Sequence, residues 1–312
     1  MKIAITGSSA HLASVLLPIL CARKDVSEIV GIDIKPTNFS HPKFQQHILD
    51  IRNKDLSITL KGSNVLIHLA FIVLCSTLKK EKSNRDLIRD INVNGSINVF
   101  TQATQLGIKK IIHLSSAVVY GAWPSNPNQI TETQNRKVMG GFSYAEDKNA
   151  VEDWIENHIT TSDSIFIRLR PHVILGPYSQ PFLISLIKQP FYPYFANPQP
   201  LTQCIWEDDV ASAINHSIDH KHSSTFNLAA DPPMSFKAMI KASHSLAVPL
   251  PMSIVTFIHK LLWRFSEKGE EPGWLEGVPH SLTISSDKAK KELNWTPRYS
   301  TEECIRKTKN LH

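Results

Sequence analysis

Cysteine is scarce in this sequence, with four residues among 312. Cys21, Cys75, Cys204 and Cys304 lie far apart, and no C-x-x-C pair occurs. This spacing excludes a zinc knuckle and a disulfide framework and favours a reducing compartment. The N-terminus also has no apolar stretch followed by a small-residue cleavage site. We therefore expect a cytoplasmic protein.

Long hydrophobic runs are absent as well, since no apolar stretch reaches the roughly 20 residues that a membrane-spanning helix needs. The most apolar segment, 249–265, is interrupted by His259, Lys260 and Arg264. We expect an amphipathic helix there that covers a substrate lobe, with contact to a membrane surface as the alternative. We predict no integral membrane segment.

Other protein classes are excluded by missing patterns. No heptad or Gly-X-Y period runs through the chain, and 42% of its residues are hydrophobic, which excludes coiled coil, collagen and disorder. The net charge is +6, but the positive residues are dispersed rather than clustered. We therefore expect no nucleic-acid partner.

The first two-thirds of the chain alternate short β-branched runs with helical patterns. The candidate strands are 2–6, 28–33, 65–70, 109–115, 164–170 and 225–229. Apolar residues at helical spacing fill the intervals, as at Leu12, Leu16 and Leu20. This alternation predicts an α/β fold with a Rossmann-like, doubly wound parallel sheet, whose ligand crevice lies at the carboxyl ends of the strands. Pro18 falls inside the first predicted helix, where it costs roughly 3 kcal/mol.

The texture of the sequence changes near residue 170. Beyond it the chain becomes rich in proline and aromatic residues, as in 189–195. We predict a dinucleotide-binding domain over 1–170 and a smaller C-terminal substrate-binding lobe that takes most of 171–312. A strand near 224–230 is expected to return to the large sheet, so the two units interleave in sequence.

The segment after the first strand has the position of a cofactor turn. It reads Thr-Gly-Ser-Ser-Ala-His-Leu-Ala over residues 6–13, and of the glycines usual in such a turn only Gly7 is present. A Cβ at Ala10 pushes a pyrophosphate outward or demands a different φ. Asp33 ends the second strand, where an acid receives both ribose hydroxyls of NAD and repels a 2′-phosphate. NAD is thus favoured over NADP. The alternative for the turn is a plain strand-to-helix connection, and the alternative for Asp33 is an acid that merely caps a strand.

The strongest chemical signal is a tyrosine and a lysine four residues apart. Tyr144 and Lys148 lie one turn apart if 144–156 is helical, so the ammonium favours the phenolate form of the tyrosine. Ser116 follows a candidate strand and is expected to hold the substrate oxygen. Together these residues predict acid/base catalysis, and the alternative is a surface pair on a helix.

These motifs, in this order, resemble those of the extended short-chain dehydrogenase/reductase family, the NAD-dependent epimerase/dehydratase group. The resemblance covers roughly residues 1–300. Further segments that match the family's motifs are 50–52, 68–70, 92–98, 116–121, 170–177, 208–211, 226–228 and 287–297.

The resemblance implies a role for each matching residue. Tyr144 is the acid/base, Lys148 lowers its pKa and binds the nicotinamide ribose, Ser116 orients the substrate, and Asn92 supports the active site. The implied cofactor contacts are Gly7, Ser9, Ala10, His11, Leu12, Asp33, Asp50, Ile51, Leu69, Ala70, Tyr144, Lys148, Pro171 and Val173. The implied substrate contacts are Ser116, Ala117 and Arg170. A homodimer through the helices near 86–106 and 144–157 is also implied.

The sequence departs from the family where a sugar nucleotide is held. Val173 stands where the epimerases usually have an asparagine, and residues 202–204 contain no arginine to bind a diphosphate. The resemblance implies an NAD-dependent epimerase/dehydratase-like oxidoreductase that transfers hydride at a secondary alcohol or carbonyl of a sugar nucleotide or another small molecule. The alternatives are a reductase of a hydrophobic, lipid-like substrate and a non-catalytic dinucleotide-binding sensor or interaction protein. We predict no metal site, although His216, His220 and His222 lie close in sequence.

Overall fold

The computed structural model describes residues 1–73, 84–179, 184, 187–195, 199–251 and 276–311. Its centre is a seven-stranded sheet in which every neighbouring pair is parallel. These strands are β1 (Lys2–Thr6), β2 (Glu28–Asp33), β3 (Phe44–Ile48), β4 (Val65–His68), β5 (Lys110–Leu114), β6 (Ile165–Pro171) and β11 (Ser224–Leu228). Their order, β11-β6-β5-β4-β1-β2-β3, places the topological switch point between β1 and β4, where doubly wound folds bind their ligands. The predicted fold class is confirmed.

Helices cover both faces of this sheet. The chain forms α1 (His11–Ala22), α2 (Leu56–Leu60), α3 (Arg85–Arg89), α4 (Ser96–Gln105), α5 (Ser143–His158), α6 (Glu207–Ser217), α7 (Phe236–Ala242), α8 (Asp287–Glu292) and α9 (Thr301–Lys309). One apolar cluster joins the sheet to α1, α6 and α8, and a second joins it to α2, α4 and α5. The strands other than β3, which lies at the edge and is partly exposed, are therefore largely buried on both sides, as parallel strands require.

Helix α1 keeps its proline in the interior, as the sequence predicts. Because Pro18 has no N–H, it cannot bond to the carbonyl of Ser14. Both residues are exposed. Leu16, Leu17 and Leu20 point into the core on the opposite side. The lost hydrogen bond thus lies where water replaces it.

The C-terminal part of the chain contributes to both units. Strand β11 pairs with β6, and α6 packs on α1, so these elements complete the large sheet and its helix layer. The rest forms three two-stranded sheets: β7 (Val173–Leu175) with β10 (Cys204–Trp206), β9 (Leu201–Thr202) with β12 (Met234–Ser235), and β8 (Phe191–Phe195) with β13 (Leu246–Leu250). The proposed boundary at residue 170 stays a prediction.

Two predictions fall on residues outside the described ranges. These are Cys75 and all but the first three residues of 249–265. Within the described ranges, the helices are too short or too polar to cross a membrane.

Candidate active site

The turn after β1 requires glycine at one position only. Gly7 has a φ of +76°, and a Cβ there would lie 2.5 Å from the backbone nitrogen of Ala70. Ala10 has an ordinary φ of −68° as the residue that precedes α1, and Ala13 is buried in the core. The different φ considered for Ala10 is therefore not needed.

The same turn presents groups that fit a dinucleotide. In the described part of the chain, no hydrogen-bond acceptor faces the backbone N–H groups of His11 and Leu12, and the N-terminus of α1 has no side-chain cap. Such a helix end attracts phosphate. Asp33 lies beside it, with its carboxylate accepting from the backbone N–H of Ser9 at 2.9 Å and of Lys35 at 3.0 Å. The residues present therefore fit NAD: the turn suits the pyrophosphate and Asp33 the ribose.

Other predicted cofactor contacts lie along the same edge of the sheet. Leu69 and Ala70 follow β4 and pack on Gly7. Asp50 forms an ion pair with Arg52 at 2.7 Å, and Ile51 is buried against Gly95, the residue before α4. Pro171 ends β6 as a buried residue, whereas Val173 is exposed.

The structure brings Ser116, Tyr144 and Lys148 together at the carboxyl ends of β4 and β5. Ser116 directly precedes a short 3-10 helix after β5 and accepts from the backbone N–H of Val118 at 3.3 Å, and its side chain lowers the pKa of the neighbouring Tyr144 phenol. Lys148 lies one turn further along α5, where its Nζ donates to the carbonyl of Leu114 at 2.6 Å. The same Nζ is 5.9 Å from the centre of the Tyr144 ring.

Burial shifts the pKa values of Tyr144 and Lys148. It raises the pKa of Tyr144 to about 12, and the neighbouring Ser116 side chain offsets only part of that rise. Burial also lowers the pKa of Lys148 to about 7, although the charges of Glu152 and Asp147 oppose it. The expected lowering of the tyrosine pKa by Lys148 is thus not observed, because the ammonium is directed to Leu114 rather than to the phenol.

Phe71 is a site residue that the sequence reasoning missed. Its ring lies 3.5 Å below the Lys148 ammonium and meets the Tyr144 ring edge-on at 5.7 Å. A ring face stabilises a cation, so Phe71 favours the charged lysine. Its position directly after the His-Leu-Ala segment at the end of β4 was the available signal.

Asn92 holds the backbone that carries Phe71. Its side chain accepts from the N–H of Ile72 at 2.8 Å and donates to the carbonyl of Ile72 at 3.0 Å. It lies on a π-helical turn over Asp90–Gly95 and donates also to Asp147, itself paired with two arginines from α3. Asn92 therefore positions the strand-end segment beside Lys148.

Arg170, predicted to contact substrate, is placed in the interior instead. It is 3% exposed and binds Glu152 of α5 through Nε at 2.8 Å and Nη2 at 2.5 Å. Its third nitrogen, Nη1, donates to the hydroxyl of Tyr120 at 2.6 Å, and this hydroxyl in turn donates to the side chain of Asn227. With these groups engaged, the predicted contact with substrate does not fit the structure. Ala117 is buried as well.

The remaining candidates have structural partners. Gln203 donates to the carbonyl of Ala230 and accepts from the N–H of Ile284, so its amide faces the protein. His216 contacts the carbonyl of Leu293, and His220 packs edge-on against Phe226. In the ranges given above, no three His, Cys, Asp or Glu side chains are grouped as metal ligands would be.

A parallel doubly wound sheet with a glycine turn after its first strand defines a dinucleotide-binding protein of the short-chain dehydrogenase fold. The profile of the NAD-dependent epimerase/dehydratase family matches residues 3–229, and the chain belongs to this family. The predicted family, an enzyme of the extended type, is thereby confirmed, as is NAD as the family's cofactor.

Individual relatives show the same relationship. The UDP-glucose 4-epimerase of Vibrio cholerae is 22% identical over 98% of this chain and 94% of its own. An N-acetyl-α-D-glucosaminyl-diphospho-ditrans,octacis-undecaprenol 4-epimerase of Escherichia coli O157:H7 is 27% identical over 60% of this chain and 53% of its own. The crystal structure of a Thermus thermophilus UDP-glucose 4-epimerase with NAD superimposes with a TM-score of 0.76, at 18% identity over 99% of this chain and 98% of its own.

Proposed function

We propose that this protein catalyses NAD-dependent oxidation and reduction at a secondary alcohol or carbonyl of a sugar that carries a diphosphate. The observation that supports this most is the grouping of Ser116, Tyr144 and Lys148 at the sheet edge that also carries Gly7 and Asp33. The named relatives act on UDP-glucose and on an undecaprenol-linked glucosaminyl diphosphate, which share a glycosyl diphosphate.

Each side chain has a distinct task in the proposed reaction. Tyr144, protonated at neutral pH because its pKa is about 12, donates its proton to a substrate carbonyl oxygen during reduction. In the oxidative direction its phenolate accepts the hydroxyl proton of the substrate, and Lys148 is assigned to the nicotinamide ribose, as the resemblance to the family implies. Ser116 hydrogen-bonds to the same substrate oxygen. Bound NAD supplies hydride acceptance and return.

The diphosphate side of the substrate is bound without an arginine from 202–204. Gln203 is engaged inside the protein and Cys204 is buried next to Cys304. We infer that recognition there depends less on charge than in an arginine-clamped site, which leaves a hydrophobic, lipid-like carrier as the second candidate substrate.

We further propose a cytoplasmic homodimer that pairs the helices within 86–106 and 144–157. Leu87 and Leu106 are exposed apolar residues in the first of these ranges. Sedimentation velocity tests this: a monomer at micromolar concentration contradicts it.

The experiment is a titration of the wild-type protein and the Tyr144→Phe variant with NAD, NADH, NADP and NADPH, followed by nicotinamide fluorescence and thermal stability. We expect both proteins to bind NAD or NADH selectively, because Tyr144→Phe removes only the hydroxyl that supplies the proton and leaves the turn after β1 and Asp33 unchanged. Only the wild type then turns over a glycosyl diphosphate substrate. If both proteins bind NAD equally and neither turns over the substrate, the protein is the non-catalytic dinucleotide sensor instead.

A further inference from the structure

The side chain of Gln46 bonds to both segments that flank the Asp33 carboxylate. Gln46 lies on β3, the edge strand that pairs with β2. Its Nε2 donates to Oγ of Ser8 at 3.0 Å and to Oγ of Ser9 at 2.9 Å, in the turn after β1. The same nitrogen donates to the carbonyl of Lys35 at 3.0 Å, in the segment after β2. The amide of Gln46 therefore joins the cofactor turn to the segment that follows Asp33.

Hydrogen bonding also fixes which end of this amide is which. Oε1 of Gln46 accepts from the backbone N–H of Thr37 at 2.9 Å, and an N–H group only donates. The other end is then the NH₂ group, whose two hydrogens meet the three oxygens. Gln46 is half-buried, while the neighbouring Gln45 points to the other face of β3 and is exposed. A methionine at position 46 keeps the length of the side chain and makes none of these hydrogen bonds.

Asp33 is held by the two segments that Gln46 joins. Its Oδ2 accepts from the backbone N–H of Ser9 at 2.9 Å, and its Oδ1 accepts from that of Lys35 at 3.0 Å. The Ser9 hydroxyl also donates to the carbonyl of Lys35 at 2.6 Å, which closes the ring. Each carboxylate oxygen has two acceptor positions, so each keeps one for a hydroxyl group. The carboxylate cannot rotate without breaking a bond to one of the two segments.

We propose that Gln46 is a positioning residue for cofactor recognition. It holds Ser9 and Lys35 at the spacing that keeps both oxygens of Asp33 in place for the ribose hydroxyls of NAD. The same restraint keeps the carboxylate where it repels a 2′-phosphate, so Gln46 strengthens the preference for NAD over NADP. The proposal rests on Asp33 as the acid that receives the ribose, and it does not depend on the substrate or the reaction.

A double-mutant cycle in NADH binding tests the proposal. Gln46→Met, Asp33→Ala and the double variant are titrated with NADH, without substrate, and nicotinamide fluorescence gives the dissociation constants. We expect Gln46→Met to weaken NADH binding roughly tenfold, which equals about 1.4 kcal/mol, the size of one hydrogen bond to a charged group. In the Asp33→Ala background the same substitution should change the affinity by less than about twofold, because the group that Gln46 positions is gone.

NADPH binding provides a second readout, which separates positioning of Asp33 from a general disturbance of the turn. A turn that is merely loosened loses affinity for NADH and NADPH by the same factor. A carboxylate that is released weakens NADH binding alone, because Asp33 makes no favourable contact with a 2′-phosphate. We therefore expect the ratio of the NADPH to the NADH dissociation constant to fall in Gln46→Met by about the factor that NADH binding loses.

Gln45→Met is the matched control. It makes the same substitution at the next residue of β3, on the exposed face of the strand, so its NADH affinity should equal that of the wild type. Urea unfolding, followed by circular dichroism, checks that each variant is folded, and we expect both strand variants to fold because β3 is a partly exposed edge strand.

The outcomes separate this proposal from the proposed function. Unchanged NADH affinity in Gln46→Met overturns the proposal, and so does an equal loss in the Asp33→Ala background or in Gln45→Met. Equal losses for NADH and NADPH also overturn it. Absence of NADH binding by the wild type refutes both proposals. NADH binding that follows the cycle as expected, in a protein that turns over no substrate, supports the role of Gln46 and refutes only the proposed function.

Discussion

Replacing Glu152 with glutamine is expected to destabilise this protein by about 3–5 kcal/mol. Glu152 is fully buried on α5 and accepts hydrogen bonds from Ser115 at 2.5 Å and from two nitrogens of Arg170. Burial alone would raise the pKa of its carboxyl, but Arg170 and Arg168 hold that pKa below its usual value. Glutamine keeps the volume and removes the charge, so the buried Arg170 loses its counterion.

The size of this effect follows from the burial of both partners. Breaking a buried ion pair leaves one charge uncompensated in a medium of low polarity, and the loss is a large part of the 5–15 kcal/mol that stabilises a typical fold. Equilibrium unfolding in urea, followed by circular dichroism, gives the free energy of unfolding for each variant.

Glu156 provides the matched control. It lies one turn further along α5 and pairs with Arg168 at 2.5 Å and Arg136 at 2.6 Å, but its side chain is 45% exposed. Because water already solvates this carboxylate, Glu156→Gln should cost less than about 1 kcal/mol. Equal losses for Glu152→Gln and Glu156→Gln, or a loss below 1 kcal/mol for Glu152→Gln, would refute the reasoning.

Three further predictions concern the cofactor turn, the core and the lysine. Gly7→Ala should abolish NAD binding in a fluorescence titration because the added Cβ meets Ala70. Ala10→Gly should leave the NAD affinity within about threefold of the wild type, since Ala10 has an ordinary φ. Similar NAD affinities for both variants would contradict this. Burial holds the pKa of His113 well below 6.5, and among the described residues neither ring nitrogen has a hydrogen-bond partner, so the native state binds no proton there while the unfolded chain does. Stability is therefore lost as pH falls below about 6.5, by up to about 1.4 kcal/mol per pH unit, and His113→Leu should flatten this slope in urea unfolding at pH 7 and pH 5; an unchanged slope would count against it. Phe71→Leu removes the aromatic ring from the Lys148 ammonium and should lower the pKa of Lys148. The alkaline limb of the plot of kcat/KM against pH should therefore shift to lower pH by roughly 0.5–1 pH unit, whereas Phe71→Tyr, which keeps a ring, should leave that limb where the wild type has it.

The sequence predicted the central strands well because their patterns are local. The buried runs that became β1, β2 and β5 lie within one residue of their predicted ends. Strand β3 was missed because Phe44–Ile48 is partly exposed along its length and shows neither a buried run nor alternation. Its pairing with β2 at the edge of the sheet is a tertiary effect.

The site was predicted in its residues but not in all of its contacts. A motif gives the position of Arg170 at the end of β6 but not the partner of its side chain. Arg168 and Arg170 are two residues apart on β6 and therefore share one face of that strand. Glu152 and Glu156 lie one turn apart on α5 and pair with them. This pair of spacings was the available signal for the buried network. The pKa of Tyr144 depended on how the segment after β4 packs, which no local pattern encodes.

The reduction of NAD by substrate tests the central proposal most directly. Wild-type protein with NAD is mixed with glycosyl diphosphates, UDP-glucose first, and NADH is followed by its absorbance and fluorescence, alongside Tyr144→Phe and Ser116→Ala. We expect NADH formation or substrate conversion by the wild type and a loss of roughly 10²–10⁴-fold in Tyr144→Phe, the range of general acid–base catalysis. Undiminished turnover in a Tyr144→Phe protein that still binds NAD would contradict it.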